Sequence, residues 1–271
     1  MRSESAADDS PSLHLTLKAP ALALIRLRPM DGVMAKTKLS VTSPANRLVF
    51  QRNQAGNATF SVAGNCAWSG AAVEARMVDA ATGKAGGWAS LGTVQPDYTY
   101  RGSLTVAAGW YSLEVRTRGA GHSATATVER VGVGEVFVVV GHSVAHGGAI
   151  NLPGAEDDRV STIALPAGDM ESQWQYKFTG DPRFLPDTVG RHFDSNVQPA
   201  PAGNGTYFWA AFADHVAKAQ HVPVLILNAA FGGTSLEHWA KSARGETFAH
   251  PFVISSIRMP YIRLEHALKK Y

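Results

Sequence analysis

Short runs of alternating apolar and polar residues dominate the chain between residues 39 and 130. In the run WYSLEVRTR, Tyr111, Leu113 and Val115 fall on one side of an extended chain. Gly, Asn, Pro and Asp separate the runs, as turns require. About seven short strands at this spacing predict a small antiparallel β-sandwich of the immunoglobulin or fibronectin type. The runs are KLSVTSP, RLVFQR, NATFSVAG, AAVEARMVDA, GSLTVAAGWYSLEVRTR and HSATATVERV.

A different pattern begins near residue 131. The almost continuous apolar runs EVFVVV (135–140) and VPVLILN (222–228) are typical of strands buried on both faces of a parallel sheet, and RVSTIAL (159–165) is a third strand candidate. Residues 207–221 and 260–271 have apolar positions at helical spacing. Two stripes are predicted to face the core: Phe208, Phe212 and Val216 in the first helix, and Tyr261, Leu264, Leu268 and Tyr271 in the second.

Strands that alternate with helices predict an α/β fold, a three-layer α/β/α sandwich around a mainly parallel sheet. The chain therefore divides into residues 1–38, a tail or leader, residues 39–130, the β-sandwich domain, and residues 131–271, the α/β domain. Residues 166–206 are rich in Pro, Gly and Asp and show little regular pattern. Such a long segment is usually functional or mobile, and we expect it to lie over the strand ends and shape a pocket.

Composition and charge narrow the range of functions. Lys and Arg number 25 against 22 Asp and Glu, and no basic stripe supports nucleic-acid binding. No apolar stretch is long enough for a membrane span. The single cysteine, Cys66, cannot form an internal disulfide and is expected to be a small buried residue. Trp68, Trp88 and Trp110 could stack on carbohydrate, although packing is the favoured interpretation.

Two polar motifs follow the apolar runs of the α/β part. Ser143 lies just beyond EVFVVV, and Gly232 and Gly233 lie just beyond VPVLILN. If these strands are neighbours in a parallel sheet, the three residues meet at its carboxyl edge. Ser143 could then attack an ester carbonyl while backbone N–H groups receive the developing negative charge. An ordinary turn and a helix entry capped by Thr234 or Ser235 are the alternatives.

Nearby histidines and carboxylates are further candidates. His146 follows Ser143 by one helical turn and could act as a base, contact substrate or stay in a turn. His142 is adjacent to Ser143 and is expected to point elsewhere, but it is a further candidate for a substrate contact or a base. The acidic cluster 156–158 is either a metal site or a solvated turn, and the turn is favoured. No His, Cys, Asp or Glu spacing matches a zinc site, so no metal and no other cofactor is expected.

Four segments resemble consecutive blocks of the SGNH (GDSL-like) hydrolases, in particular the sialate O-acetylesterase-like group of bacterial carbohydrate esterases. The segments are VGVGEVFVVVGHSVAHGG, DDRVS, HVPVLILNAAFGGTSLEHW and PYIRLEHALKKY. The resemblance covers roughly residues 131–271 and implies a flavodoxin-like sheet, metal-free deacetylation of O-acetylated sugars and a periplasmic or extracellular location. It implies Ser143 as nucleophile, with Ser143 and Gly232 or Gly233 in the oxyanion hole.

The chain also departs from the family pattern. His142 and Val144 replace the Gln and Asn of the usual Gly-Gln-Ser-Asn block. The family's Gln-Gly-Glu and Asp-x-x-His segments, which complete the oxyanion hole and supply the base, are missing from this chain. The sequence therefore predicts an SGNH-like domain truncated at its C-terminus, with strand 222–228 left as an open hydrophobic edge. A homo-oligomer or a complementing chain could cover that edge.

The resemblance and the departures from it allow two functions. The first is a serine esterase that deacetylates O-acetylated carbohydrates, whose acid–base residues lie outside this chain. The second is a non-catalytic carbohydrate-binding or assembly protein that uses a degenerate esterase fold. The expected ligand is an O-acetylated carbohydrate, and neither nucleic acid nor a membrane is expected as a partner.

Overall fold

The computed structural model describes residues 38–119, 122–148, 152–166 and 170–271, so the predicted tail or leader lies outside the described residues except for Lys38. The strands are β1 (Leu39–Ser43), β2 (Leu48–Gln51), β3 (Asn57–Cys66), β4 (Ala72–Asp79), β5 (Ala89–Thr93), β6 (Thr99–Ala107), β7 (Gly109–Gly119), β8 (His122–Val139), β9 (Val160–Ile163), β10 (Gly190–His192) and β11 (Val224–Asn228). The helices are α1 (Ser143–His146), α2 (Met170–Thr179), α3 (Trp209–Gln220), α4 (Leu236–Ala243) and α5 (Tyr261–Lys270), with short 3-10 turns at Pro182–Phe184 and Ser255–Ile257.

Two sheets pack face to face in the first half of the chain. β1, β3 and β6 form an antiparallel three-stranded sheet, and β5, β4, β7 and the first part of β8 form the sheet opposite. The alternation of β7 is as predicted, because Leu113 and Val115 are fully buried between the sheets. Cys66 is buried in the same core, and burial raises the pKa of its thiol. This half of the chain is therefore a β-sandwich.

The three tryptophan rings of this region contact other side chains of the same chain. The contacts are Trp68 stacked on His122 at 4.6 Å, Trp88 under the guanidinium of Arg116 at 3.8 Å, and Trp110 donating to Asp158 over 3.2 Å. The distances of the first two are to ring centroids. These contacts favour the packing interpretation over a carbohydrate platform.

Strand β8 joins the two halves of the molecule. Over its first part it pairs antiparallel with β7, and from Glu135 it pairs in parallel with β11. The predicted boundary at residues 130 and 131 lies inside this strand. Pro223 crosses β8 at Gly134, where a Cβ atom would overlap the carbonyl oxygen of Pro223. One mixed eight-stranded sheet therefore runs through both halves in the order β10-β9-β11-β8-β7-β4-β5, with β2 also paired to β8.

The prediction that strand 222–228 is an open edge is wrong. β11 pairs in parallel with β8 on one side and with β9 on the other, and all of its residues are buried. Instead, the run EVFVVV lies at an edge, because no described strand pairs with the second side of β8 beyond Gly134. Residues 135–138 are accordingly only half-buried. β11 takes a central position in the sheet, between β8 and β9.

The helices bury only part of the stripes that were predicted to face the core. Val216, Tyr261, Leu264 and Tyr271 pack, partly buried, against core residues, as predicted. In α3 the buried positions are Ala210, Ala213, Asp214 and Ala217, whereas Phe208 and Phe212 are 40% and 38% exposed. In α5 the buried positions are Arg263 and Ala267, and Leu268 is 66% exposed. Small alanines let α3 approach the sheet closely, so the bulky aromatic residues lie at the flank.

The layers also differ from a three-layer sandwich. Helix α3 covers the face of β11 that carries Val224 and Ile226. Leu225 and Leu227, on the other face, pack on residues of the β-sandwich side and on Tyr271, which follows α5. The described residues thus form a mixed α/β fold with one large mixed sheet and few helices. No helix among them has the length and apolar character that crossing a membrane requires.

Candidate functional site

Ser143 opens the short helix α1, just beyond the end of β8. His142 is the N-cap of this helix, and Ser143 is exposed to solvent. The end of β11 holds α1 in place, since the side-chain amide of Asn228 donates to the carbonyl of Ala145 over 2.9 Å. The indole of Trp209 donates to the same carbonyl over 3.1 Å. The serine is therefore fixed at the carboxyl edge of the parallel strands.

Gly232 lies directly against this serine. A Cβ atom added to Gly232 would stand 3.9 Å from Cβ of Ser143 and 3.9 Å from Nδ1 of His146. The structure thus brings together Ser143, His146 and Gly232 around one point. Even the methyl group of an alanine at position 232 would occupy that space.

Gly233 has a different environment. Its φ of +76° lies in the left-handed region, and a Cβ atom there would overlap the ring of Phe252. Its carbonyl accepts a hydrogen bond from Nε2 of His250 over 3.0 Å. The predicted helix entry also forms, because Ser235 caps α4. Of the two glycines, Gly232 is the one whose α-carbon faces Ser143.

His146 is held in one tautomer by its backbone partner. Its Nε2 lies 2.7 Å from the carbonyl oxygen of Ala202, which can only accept, so Nε2 carries the proton and Nδ1 a lone pair. Burial lowers the pKa of His146, and the positive charges of Arg263 and Lys177 lower it further, against the hydrogen bond to Ala202. A neutral imidazole therefore presents its basic nitrogen beside Gly232 near neutral pH.

His142 does not point away from Ser143, contrary to the expectation. Its Nδ1 accepts the backbone N–H of Val144 over 3.3 Å and lies 3.5 Å from Oγ of Ser143, the outer limit of a hydrogen bond. The reason is its position as N-cap, which folds the side chain back over the first turn of α1. Its ring nitrogen is thus already engaged with the backbone.

The acidic cluster 156–158 forms ion pairs with basic residues. Asp158 pairs with Arg47 over 3.0 Å, and Asp157 pairs with Arg159 over 2.6 Å. Burial works against ionisation of Asp158, but hydrogen bonds from Arg47 and Trp110 outweigh it and lower its pKa. No group of three or more potential metal ligands occurs among the described residues. The cluster joins the α/β half to the β-sandwich.

A histidine–aspartate pair is present, but at the wrong end of the sheet for Ser143. Nδ1 of His192 lies 2.7 Å from the carboxylate of Asp194. Strand β10 runs antiparallel to β9 and places His192 opposite Ser161, near the amino end of the parallel strands. This pair therefore does not orient a base at Ser143.

A cavity of about 390 Å³ opens beside Gly232 and His146. Described residues of the segment 166–206, between Gln173 and Ala202, contribute much of its wall, as expected. Aromatic and aliphatic side chains make up most of the lining: Leu165, Tyr176, Phe184, Phe231 and Phe252. Its cationic groups are Lys177 and Arg263.

Sequence reasoning missed Arg263. It lies on the buried face of α5, where the apolar stripe was predicted to be Tyr261, Leu264, Leu268 and Tyr271. Little in the sequence indicates that Arg263 is buried, because an arginine in an amphipathic helix normally lies on the solvent side. Its spacing of four from Ala267 is the only hint that it shares a face with a small buried residue.

No protein-family model matches the chain, and no curated protein matches it. Among solved structures, the chain is similar to the crystal structure of a carbohydrate acetylesterase from Xanthomonas citri, at 19% sequence identity and a TM-score of 0.40. The similarity covers 76% of this chain and 44% of that chain. This chain thus spans less than half the length of the structure that it matches.

Proposed function

We propose that the protein is a serine ester hydrolase that removes small acyl groups, with O-acetylated carbohydrates as its substrate class. The observation that carries this proposal is the convergence of Ser143, Gly232 and His146 around one point at the mouth of a cavity. The carbohydrate substrate rests on the resemblance of residues 131–271 to the sialate O-acetylesterase-like hydrolases.

In the proposed reaction, Oγ of Ser143 attacks the ester carbonyl and forms a tetrahedral oxyanion. Nδ1 of His146 accepts the serine proton and then gives it to the leaving alcohol as the C–O bond breaks. The backbone N–H of Gly232 donates to the oxyanion, because its α-carbon faces Ser143 without a side chain in the way. Water, deprotonated by His146, then hydrolyses the acyl-serine, which releases the acid and restores Ser143.

The expected rate is low. A backbone carbonyl, that of Ala202, orients His146, whereas complete triads use a carboxylate. In serine proteases, replacing that carboxylate lowers kcat roughly 10⁴-fold. We therefore expect turnover above background, but orders of magnitude below that of a complete triad.

The test is release of acetate from a chromogenic acetyl ester and from an acetylated sugar. Ser143→Ala and His146→Gln should each abolish turnover above background, whereas the exposed control changes Ser103→Ala and His215→Gln should leave it unchanged. Turnover that survives Ser143→Ala would remove the serine from the mechanism. Loss on His142→Gln with retention on His146→Gln would make His142 the base.

One observation favours a non-catalytic carbohydrate-binding protein as the second candidate. No hydrogen bond joins Ser143 to His146 in the described chain, and the hydroxyl lies instead near His142. If this candidate is right, acetylated sugar binds with a measurable Kd by calorimetry, no acetate is released, and Ser143→Ala leaves both results unchanged.

A further inference from the structure

Arg263 is a buried cation with few partners. Its residue is 7% exposed, and within the described part of the chain its guanidinium makes one hydrogen bond, from Nη1 to the carbonyl of Ala230 over 2.9 Å. Its Nε is buried and has no hydrogen-bond partner. The guanidinium carbon lies 4.0 Å from the ring centroid of Phe231. A buried guanidinium is normally paired with a carboxylate, and none of the described residues supplies one here.

The cavity lined by Arg263 carries positive charge. The ammonium group of Lys177 lies 5.9 Å and 5.8 Å from the ring centroids of Phe231 and Phe252, on the wall of the same cavity. No Asp or Glu is among the described residues that line it. Burial lowers the pKa of Arg263 to about 10, so the guanidinium remains charged at neutral pH. An anion in the cavity would compensate the buried charge of Arg263, with the ammonium of Lys177 on the same wall.

The rest of the lining determines the kind of anion. Most of the wall is aromatic or aliphatic, and few uncharged donors face the space. A guanidinium also pairs bidentately with phosphate. Phosphate, however, has more charge and more acceptor oxygens to desolvate than a carboxylate, and the mostly apolar wall offers few donors for them. A carboxylate is planar and matches the two parallel N–H donors of a guanidinium. The apolar wall suits an aliphatic or aromatic body.

We propose that this cavity is a binding site for a small carboxylate with an apolar body, held by Arg263 and Lys177. No bond to the ligand is formed or broken, so the inference does not depend on the proposed hydrolysis. Because the cavity opens beside Gly232 and His146, a bound carboxylate would also obstruct the approach of an ester to Ser143.

The test is calorimetric titration of the full chain with phenylacetate, with its neutral isostere phenylacetamide and with inorganic phosphate. Phenylacetate should bind at one site per chain. Phenylacetamide should bind at least about tenfold more weakly, as expected for loss of a hydrogen bond to a charged group. Arg263→Leu and Lys177→Met should each raise the Kd for phenylacetate roughly tenfold or more. Lys269→Met, on the exposed side of the same helix, is the matched control and should leave it unchanged.

Several results would overturn the proposal. These are equal Kd values for phenylacetate and phenylacetamide, tighter binding of phosphate than of phenylacetate, absence of phenylacetate binding, and unchanged binding by Lys177→Met. Thermal unfolding checks that Arg263→Leu folds. If this variant does not fold, the Kd of Lys177→Met and the comparison of phenylacetate with phenylacetamide still test the carboxylate site. Ser143→Ala should bind phenylacetate as tightly as the unmodified chain, so failure of the esterase proposal and failure of this one are separable.

Discussion

Nε2 of His146 donates a hydrogen bond to the carbonyl oxygen of Ala202 over 2.7 Å. This contact links helix α1, which carries Ser143, to the segment that forms the cavity wall. It also leaves Nδ1 unprotonated beside Gly232. The same side chain therefore contributes to the local structure and to the proposed chemistry, and pH should affect both.

The first prediction concerns stability in acid. The pKa of His146 is lowered from its ordinary 6.5 by burial and by the charges of Arg263 and Lys177. Between that lowered pKa and 6.5, the unfolded chain binds more protons than the folded one, so stability falls as pH falls through this window. His146→Gln keeps a donor for Ala202 and removes this titration.

Urea unfolding at about pH 7.5 and about pH 5 measures the effect. The loss of stability between the two pH values should be smaller in His146→Gln than in the unmodified chain. Some loss should remain, because burial also lowers the pKa of His266. The exposed His215→Gln serves as control and should show the full loss. An equal loss in His146→Gln would contradict a buried neutral His146.

The second prediction separates folding from chemistry at Gly232. A Cβ at this position meets Ser143 and His146 at 3.9 Å, ordinary van der Waals contact. Gly232→Ala should therefore change the free energy of unfolding by no more than about 0.5 kcal/mol. The methyl group fills the point where the ester carbonyl must sit, so acetate release should fall at least about tenfold. Undiminished release would place the reaction elsewhere.

The third prediction compares two glycines with nearly the same φ. Gly233 and Gly245 have φ of +76° and +77°, but only a Cβ at Gly233 would meet another residue, the ring of Phe252. Gly245→Ala should cost about 1 kcal/mol for the left-handed backbone. Gly233→Ala should cost at least about 1 kcal/mol more, because Phe252 must also move. Equal shifts in thermal unfolding would show that the ring yields without cost.

The fourth prediction concerns the crossing of β8 and Pro223. A Cβ at Gly134 would overlap the carbonyl oxygen of Pro223, which also accepts the N–H of Glu135 over 3.0 Å. Backbone cannot yield as a side chain can, so Gly134→Ala should destabilise the fold by at least about 2 kcal/mol. Gly87→Ala is the control, since a Cβ there meets nothing. Denaturant unfolding with a similar midpoint for both variants would contradict this close approach.

Although β5 and β10 were missed, most strand positions were predicted from the sequence, because alternation and continuous apolar runs report directly on burial. Leu113 and Val115 in β7 are examples. The order of the strands in the sheet was not predicted correctly, since nothing local in VPVLILN distinguishes a central strand from an edge strand. β11 reached the centre because β9 pairs with it and not with β8.

The buried faces of the helices were harder to predict than the order of the strands. The prediction weighted large apolar residues, so Phe212 and Leu268 were placed inward, whereas Ala213 and Ala267 are buried. Close packing of a helix on a sheet favours small side chains, and the periodic pattern alone does not show which stripe is chosen. Arg263 was missed for the same reason, and with it the charge of the cavity.

The continuity of β8 has a mechanical consequence. Most two-part chains are joined by a flexible linker, and their halves rotate relative to one another. Here the connection is a single extended strand of 18 residues, hydrogen-bonded to β7 at one end and to β11 at the other. Because this strand is continuous, a displacement of the sandwich would be transmitted through its backbone to Val139, four residues before Ser143. The two halves are thus connected by a hydrogen-bonded strand, which resists bending, in place of a flexible hinge.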